Sequence, residues 1–129
     1  MRWIAAYAAT LVAFCALDFL WLGVVARSFY QAEVGPLLLP RPNLVPAVIL
    51  YALCSAGLLA FAIVPAESLA RAALAGAFLG LVVYGVYDLT NLSVLAGWTV
   101  RVALVDMAWG TFVCAAAASV GYLAARLAG

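Results

Sequence analysis

The sequence predicts an all-α fold, an antiparallel bundle of four transmembrane helices, and three observations carry that prediction: the composition, four long apolar runs, and short loops between the later runs. Of 129 residues, 71% are hydrophobic and 9% are charged, with a mean hydropathy of +1.24. Soluble domains are about one-quarter charged. The runs at about 3–25, 44–64, 72–95 and 102–123 are each long enough to cross a hydrocarbon core of ~30 Å at ~1.5 Å per residue. They form a single transmembrane domain, residues 1–129, with the lipid bilayer as its first partner.

The first run follows Met1-Arg2, as a secretory signal would, but its length and the three runs after it predict a retained helix. The segment from Arg27 to Asn43 carries Pro36, Pro40 and Pro42, which forbid a continuous helix there. Within it, Ser28 to Val34 is expected to form a short interfacial turn with Phe29 and Tyr30 at the headgroups. Pro65-Ala66-Glu67-Ser68 and Ala96 to Arg101 are short connections, so neighbouring helices run antiparallel. Trp3, Tyr30, Trp98 and Tyr122 lie near helix ends, where aromatic rings settle at the membrane interface. Arginine counts do not orient the bundle: Arg2, Arg71 and Arg126 fall on one side, Arg27, Arg41 and Arg101 on the other.

Six arginines, no lysine or histidine and a net charge of +1 argue against a nucleic-acid partner. Cys15, Cys54 and Cys114 lie in separate apolar runs without C-x-x-C spacing, and read as packing residues. The glycines from Gly76 to Gly85 lack the strand, loop and lysine of a phosphate loop, and helix packing accounts for them. No metal or cofactor is expected.

Chemistry concentrates on three aspartates inside the apolar runs, because an ionisable group in a membrane helix is costly unless paired or used. Asp18 lies seven residues before Val25, Asp88 seven before Leu95, and Asp106 four into the last run. At ~1.5 Å per residue, all three fall about 6–10 Å from the side bearing the first and third loops. The faces agree. Gly76, Gly80, Tyr84 and Asp88 form a stripe at spacing four, as do Asp106, Gly110 and Cys114, continuing to Ala117 and Gly121. Small residues at that spacing let helix backbones approach. Phe14, Cys15, Asp18 and Trp21 share a face of the first helix, and Tyr51 and Ser55 can join from the second.

Asp18 and Trp21 have the same three-residue spacing as Asp106 and Trp109, and each pair is followed closely by a glycine. Within each pair the indole is expected to cover the neighbouring carboxyl and donate to it, so that Trp21 and Trp109 become walls of one pocket. Tyr84, Tyr87, Thr90 and Asn91 are the expected polar lining.

The run Gly85-Val86-Tyr87-Asp88-Leu89-Thr90-Asn91-Leu92, then Gly97-Trp98 and Val105-Asp106-Met107-Ala108-Trp109-Gly110, together with Asp18-x-x-Trp21-Leu22-Gly23, resembles the bacterial domain-of-unknown-function family numbered 2177. The resemblance covers nearly the whole chain. It implies a small multi-pass protein of the bacterial inner membrane and supplies no established reaction. Ala96 departs from it, since the family often has a basic or polar residue there.

Three functional readings follow from the residues. In the first, Asp88 is the central carboxyl of a site that binds or transports a proton, cation or small ligand, with Asp18 and Asp106 as partners. The three carboxyls outnumber the nearby positive charges, so if they come close at least one is expected to bind a proton. A site in four helices is narrow, and transport would call for a homodimer. In the second, the carboxyls are general acid and base of an enzyme, or part of an accessory protein, acting on lipid or fatty acyl chains. No histidine, evident nucleophile or cofactor motif selects a reaction. In the third, the aspartates only fix helix register, through Asn91, Thr90, Trp109 or Arg101, at about 0.6–2 kcal/mol per contact.

Overall fold

The computed structural model describes residues 1–129, which form five α-helices and no strand. Four of them, α1 (Arg2–Val25), α3 (Leu44–Ile63), α4 (Leu69–Val94) and α5 (Val100–Ala128), are long and apolar enough to cross a membrane; α2 (Arg27–Val34) is short.

Side-chain caps set three of the helix starts. Asn43 accepts from the Val45 N–H at 3.2 Å, Ser68 from the Arg71 N–H at 3.2 Å, and Thr99 from the Val102 N–H at 3.1 Å. Each bond satisfies an amide that has no partner inside the helix. The last two caps move the starts of α4 and α5 outward, from the expected 72 and 102 to Leu69 and Val100. At its other end α5 runs five residues beyond the expected 123, because Ala124, Ala125 and Arg126 are strong helix formers and Arg126 complements the helix C-terminus. Hydropathy marks only the apolar part of such a helix.

The segment expected to make an interfacial turn is instead the two-turn helix α2, ended by Gly35 and Pro36 in a tighter turn, Gly35–Leu37. Ala26, Tyr30 and Val34, spaced by four, face the bundle and pack on Val102, with Trp21, Phe29 and Trp98 around them. Glu33 pins the helix to the start of α5. Its carboxylate accepts from the Thr99 hydroxyl at 2.9 Å and lies 3.6 Å from the Arg101 guanidinium.

The centre of the bundle is α5, whose most apolar window is 44% buried, against 17–22% for the other spans. It lies between α1 and α4. A methyl group on Gly76 would stand 2.7 Å from the Ala118 Cβ and from the Cys114 carbonyl oxygen. On Gly80 it would strike the Gly110 carbonyl, and on Gly121 the Thr10 hydroxyl. The small-residue stripes are therefore where the backbones meet. The second span is peripheral: α3 packs mainly on α1, and its contacts with α4 are concentrated in Leu59–Ile63, at the end away from the aspartates. Large apolar side chains such as Val12, Leu53, Phe61, Phe78 and Leu104 point outward, as a lipid-facing surface requires.

Candidate functional site

Helix geometry decides how the two Asp-Trp pairs combine. Asp18 lies three residues deeper in the bundle than Trp21, and Trp109 three residues deeper than Asp106, a step of about 4.5 Å in each case. Because α1 and α5 are antiparallel, Trp109 is level with Asp18 and Trp21 with Asp106. The expected pairing within each motif is therefore not made, and the two motifs exchange partners. The Trp109 indole N–H donates to Asp18 Oδ1 at 3.0 Å. Trp21 donates to the Tyr30 hydroxyl at 3.1 Å, which donates to Asp106 Oδ1 at 2.7 Å. The wider turn that begins at Trp21, spanning Trp21–Val25, accompanies this exchange. Between the two carboxyls the indoles stack, with centroids 4.5 Å apart and planes 5° from parallel. Such pairs contribute about 0.5–1.5 kcal/mol beyond their buried area.

Asp18 is fully engaged. Its second oxygen, Oδ2, accepts from the Tyr51 hydroxyl of α3, whose ring packs edge-on against Phe14 and Phe19. One carboxylate thus ties α1 to α3 and α5. Asp106 is held by Tyr30, which brings α2 over this end of the bundle. Burial, and then the neighbouring Asp106 carboxyl, hold the Tyr30 phenol well above its ordinary range, so it remains a donor.

Asp88 differs. It is 0% exposed, against 6% for Asp18 and 8% for Asp106, and neither of its oxygens has a hydrogen-bond partner. Its neighbours are Asp106 and Trp98, and the buried Trp98 indole N–H is also unpartnered. The three carboxyls divide into two groups: Asp88 adjoins Asp106, while Asp18 is held by Tyr51 and Trp109. Nor does Arg101 pair with either aspartate, because Glu33 of α2 has taken it.

Of the remaining expected lining residues, Tyr84 stays near Asp18 and Asp106, whereas the others lie further out. Tyr84 packs its ring directly on Gly110, where no Cβ would fit, and so spaces α4 from α5 below Asp88. Tyr87 is 53% exposed and meets Trp98 edge-on at 5.7 Å, with half-buried Asn91 beside it. Thr90 is exposed and faces away from the cluster, into a shallow groove of ≈ 650 Å³ formed with Leu81, Val86, Leu89, Ser93 and Met107. A second concavity of ≈ 370 Å³ lies at the opposite end of the bundle. Neither is lined by an aspartate.

Tyr30 and Trp98 read in the sequence as interface anchors, yet both belong to the cluster. The spacing Ala26, Tyr30, Val34 was the available signal for Tyr30, since it places the hydroxyl on the apolar face of α2. No comparable signal marks Trp98, which comes from the loop before α5.

A family model described as predicted membrane protein (DUF2177) matches residues 3–123, and the chain belongs to that family. No curated protein and no solved structure matches the chain.

Proposed function

We propose that this member of the DUF2177 family is a proton-binding protein of the bacterial inner membrane, with Asp88 as the proton site. The observation that carries the reading is that Asp88 is completely buried and neither oxygen has a donor. An unpaired carboxylate in such a place costs several kcal/mol, and a bound proton removes that charge. Asp18 and Asp106, by contrast, accept hydrogen bonds from donors on other helices.

Asp88 has a neighbour suited to each of its forms. When protonated it has an O–H to give, and Asp106 is the adjoining acceptor; when ionised it needs a donor, and the unpartnered Trp98 N–H is beside it. Translocation, as distinct from binding, would require two copies of so narrow a bundle.

The test is infrared difference spectroscopy of the carboxylic C=O stretch during a pH titration. A band present in the wild type is expected to vanish in Asp88→Asn and survive in Asp18→Asn, with helical circular dichroism retained by both. Identical spectra for the wild type and a folded Asp88→Asn protein would end the proposal. Proton flux into proteoliposomes then tests translocation separately.

A further inference from the structure

The end of the bundle opposite the aspartates holds two arginines that the acidic cluster does not use. Arg2 at the start of α1 and Arg126 near the end of α5 line the concavity of ≈ 370 Å³, together with Trp3, Ile63, Tyr122 and Ala125. Three helices thus supply its walls, α3 contributing Ile63 from its last turn.

Aromatic neighbours steady both guanidiniums. That of Arg2 lies 4.3 Å from the Trp3 ring centroid, and that of Arg126 lies 6.0 Å from the Tyr122 centroid while its Nη1 donates to the Tyr122 hydroxyl at 3.3 Å. Neither pairs with an acidic side chain, and Gly129 lines the cavity beside Arg2. The molecule's one side-chain ion pair joins Arg101 and Glu33 at the far end, and Glu67, the only acidic side chain in the nearby turn, pairs with nothing.

We infer that this cavity binds the phosphate of an anionic phospholipid headgroup. A guanidinium presents N–H groups in a fork that matches phosphate oxygens, and two unpaired guanidiniums flanking one cavity supply more donors than a neutral ligand needs. The volume falls at the lower end of the range of roughly 300–1,000 Å³ typical of organic ligands, which is room for a headgroup with its glycerol. Trp3 and Tyr122 place the site at headgroup depth, while Ile63 and Ala125 give the apolar wall along which a glycerol backbone turns toward the bilayer. Basic pockets between membrane helices at this depth favour anionic lipids.

The experiment is native mass spectrometry of the detergent-purified protein offered phosphatidylglycerol and phosphatidylcholine of equal chain length. The wild type is expected to retain phosphatidylglycerol in preference, by about tenfold or more. The double variant Arg2→Gln, Arg126→Gln should lose that preference, and Arg71→Gln, an arginine on the same side but outside the cavity, should keep it. Equal retention of both lipids by the wild type, or equal loss in the double variant and Arg71→Gln, overturns the site. Displacement of phosphatidylglycerol by equimolar inorganic phosphate would assign the cavity to the free anion and overturn the lipid.

Discussion

Asp18 and Asp88 lie in the same half of the bundle, both are more than nine-tenths buried, and each sits one to two turns from the end of its helix. They differ in what faces them. Around Asp18, antiparallel packing brings a tyrosine from α3 and a tryptophan from α5 to its two oxygens. Around Asp88, α5 offers another acid, Asp106, and α3 makes its contacts with α4 at the other end. Burial and residue type are therefore poor guides to role in this membrane bundle. The donors supplied by neighbouring helices make one carboxyl a tie between helices and leave the other without a hydrogen-bond partner, which is the basis of the proton site proposed above.

The largest effect on this contrast is expected from separating α4 from α5. Gly110→Val would drive a side chain into the Tyr84 ring, with a loss of about 3 kcal/mol or failure to fold, visible in denaturant unfolding of the detergent-solubilised protein. A normally stable variant would mean that Tyr84 does not set the spacing below Asp88.

Next comes Asp18→Asn, which turns an amide N–H₂ toward one of two donors and should cost about 1–2 kcal/mol. Asp88→Asn interrupts no hydrogen bond seen in the structure, and its amide N–H can face Asp106 as the protonated acid would, so its cost should be smaller, below about 1 kcal/mol. Comparable losses in the two variants would erase the distinction between them.

Tyr30→Phe removes the bridge from Trp21 to Asp106 and should cost about 1 kcal/mol. The folded phenol ionises above the unfolded one, whose pKa is about 10. Its contribution is thus intact below that pH and is lost as pH rises through the folded value. Alkaline unfolding curves should therefore be flatter in Tyr30→Phe than in the wild type, and superimposable shapes would deny Tyr30 this role.

The smallest change belongs to the clasp over the site. Arg101→Gln removes a 3.6 Å ion pair whose arginine is 77% exposed, a loss of about 0.5 kcal/mol or less that added salt should mimic. A larger, salt-insensitive loss would show that Arg101 does more than steady Glu33.

Much of this fold is readable in one dimension, because crossing hydrocarbon demands long apolar runs and close helix approach demands small residues at spacing four. The four spans, the shared depth of Asp18, Asp88 and Asp106, and the faces through Gly76, Gly80, Gly110 and Gly121 all follow from helical rise and period, which are local properties. The caps at Ser68 and Thr99, by contrast, shifted helix ends that hydropathy alone had placed inward.

Only tertiary structure decided which partner each polar group meets. The Asp-Trp motifs look self-sufficient in sequence, yet antiparallel levels cross them between α1 and α5, and Tyr30 enters from a helix that the sequence reading treated as a surface turn. Thr90 shares the Asp88 segment but turns outward, and Arg101 is claimed by Glu33 before it can neutralise an aspartate. Hydrogen bonds between helices depend on relative height and rotation, which no single helix encodes. Sequence therefore established where the carboxyls lie, and the packing of the helices established that Asp88 alone is left without a donor.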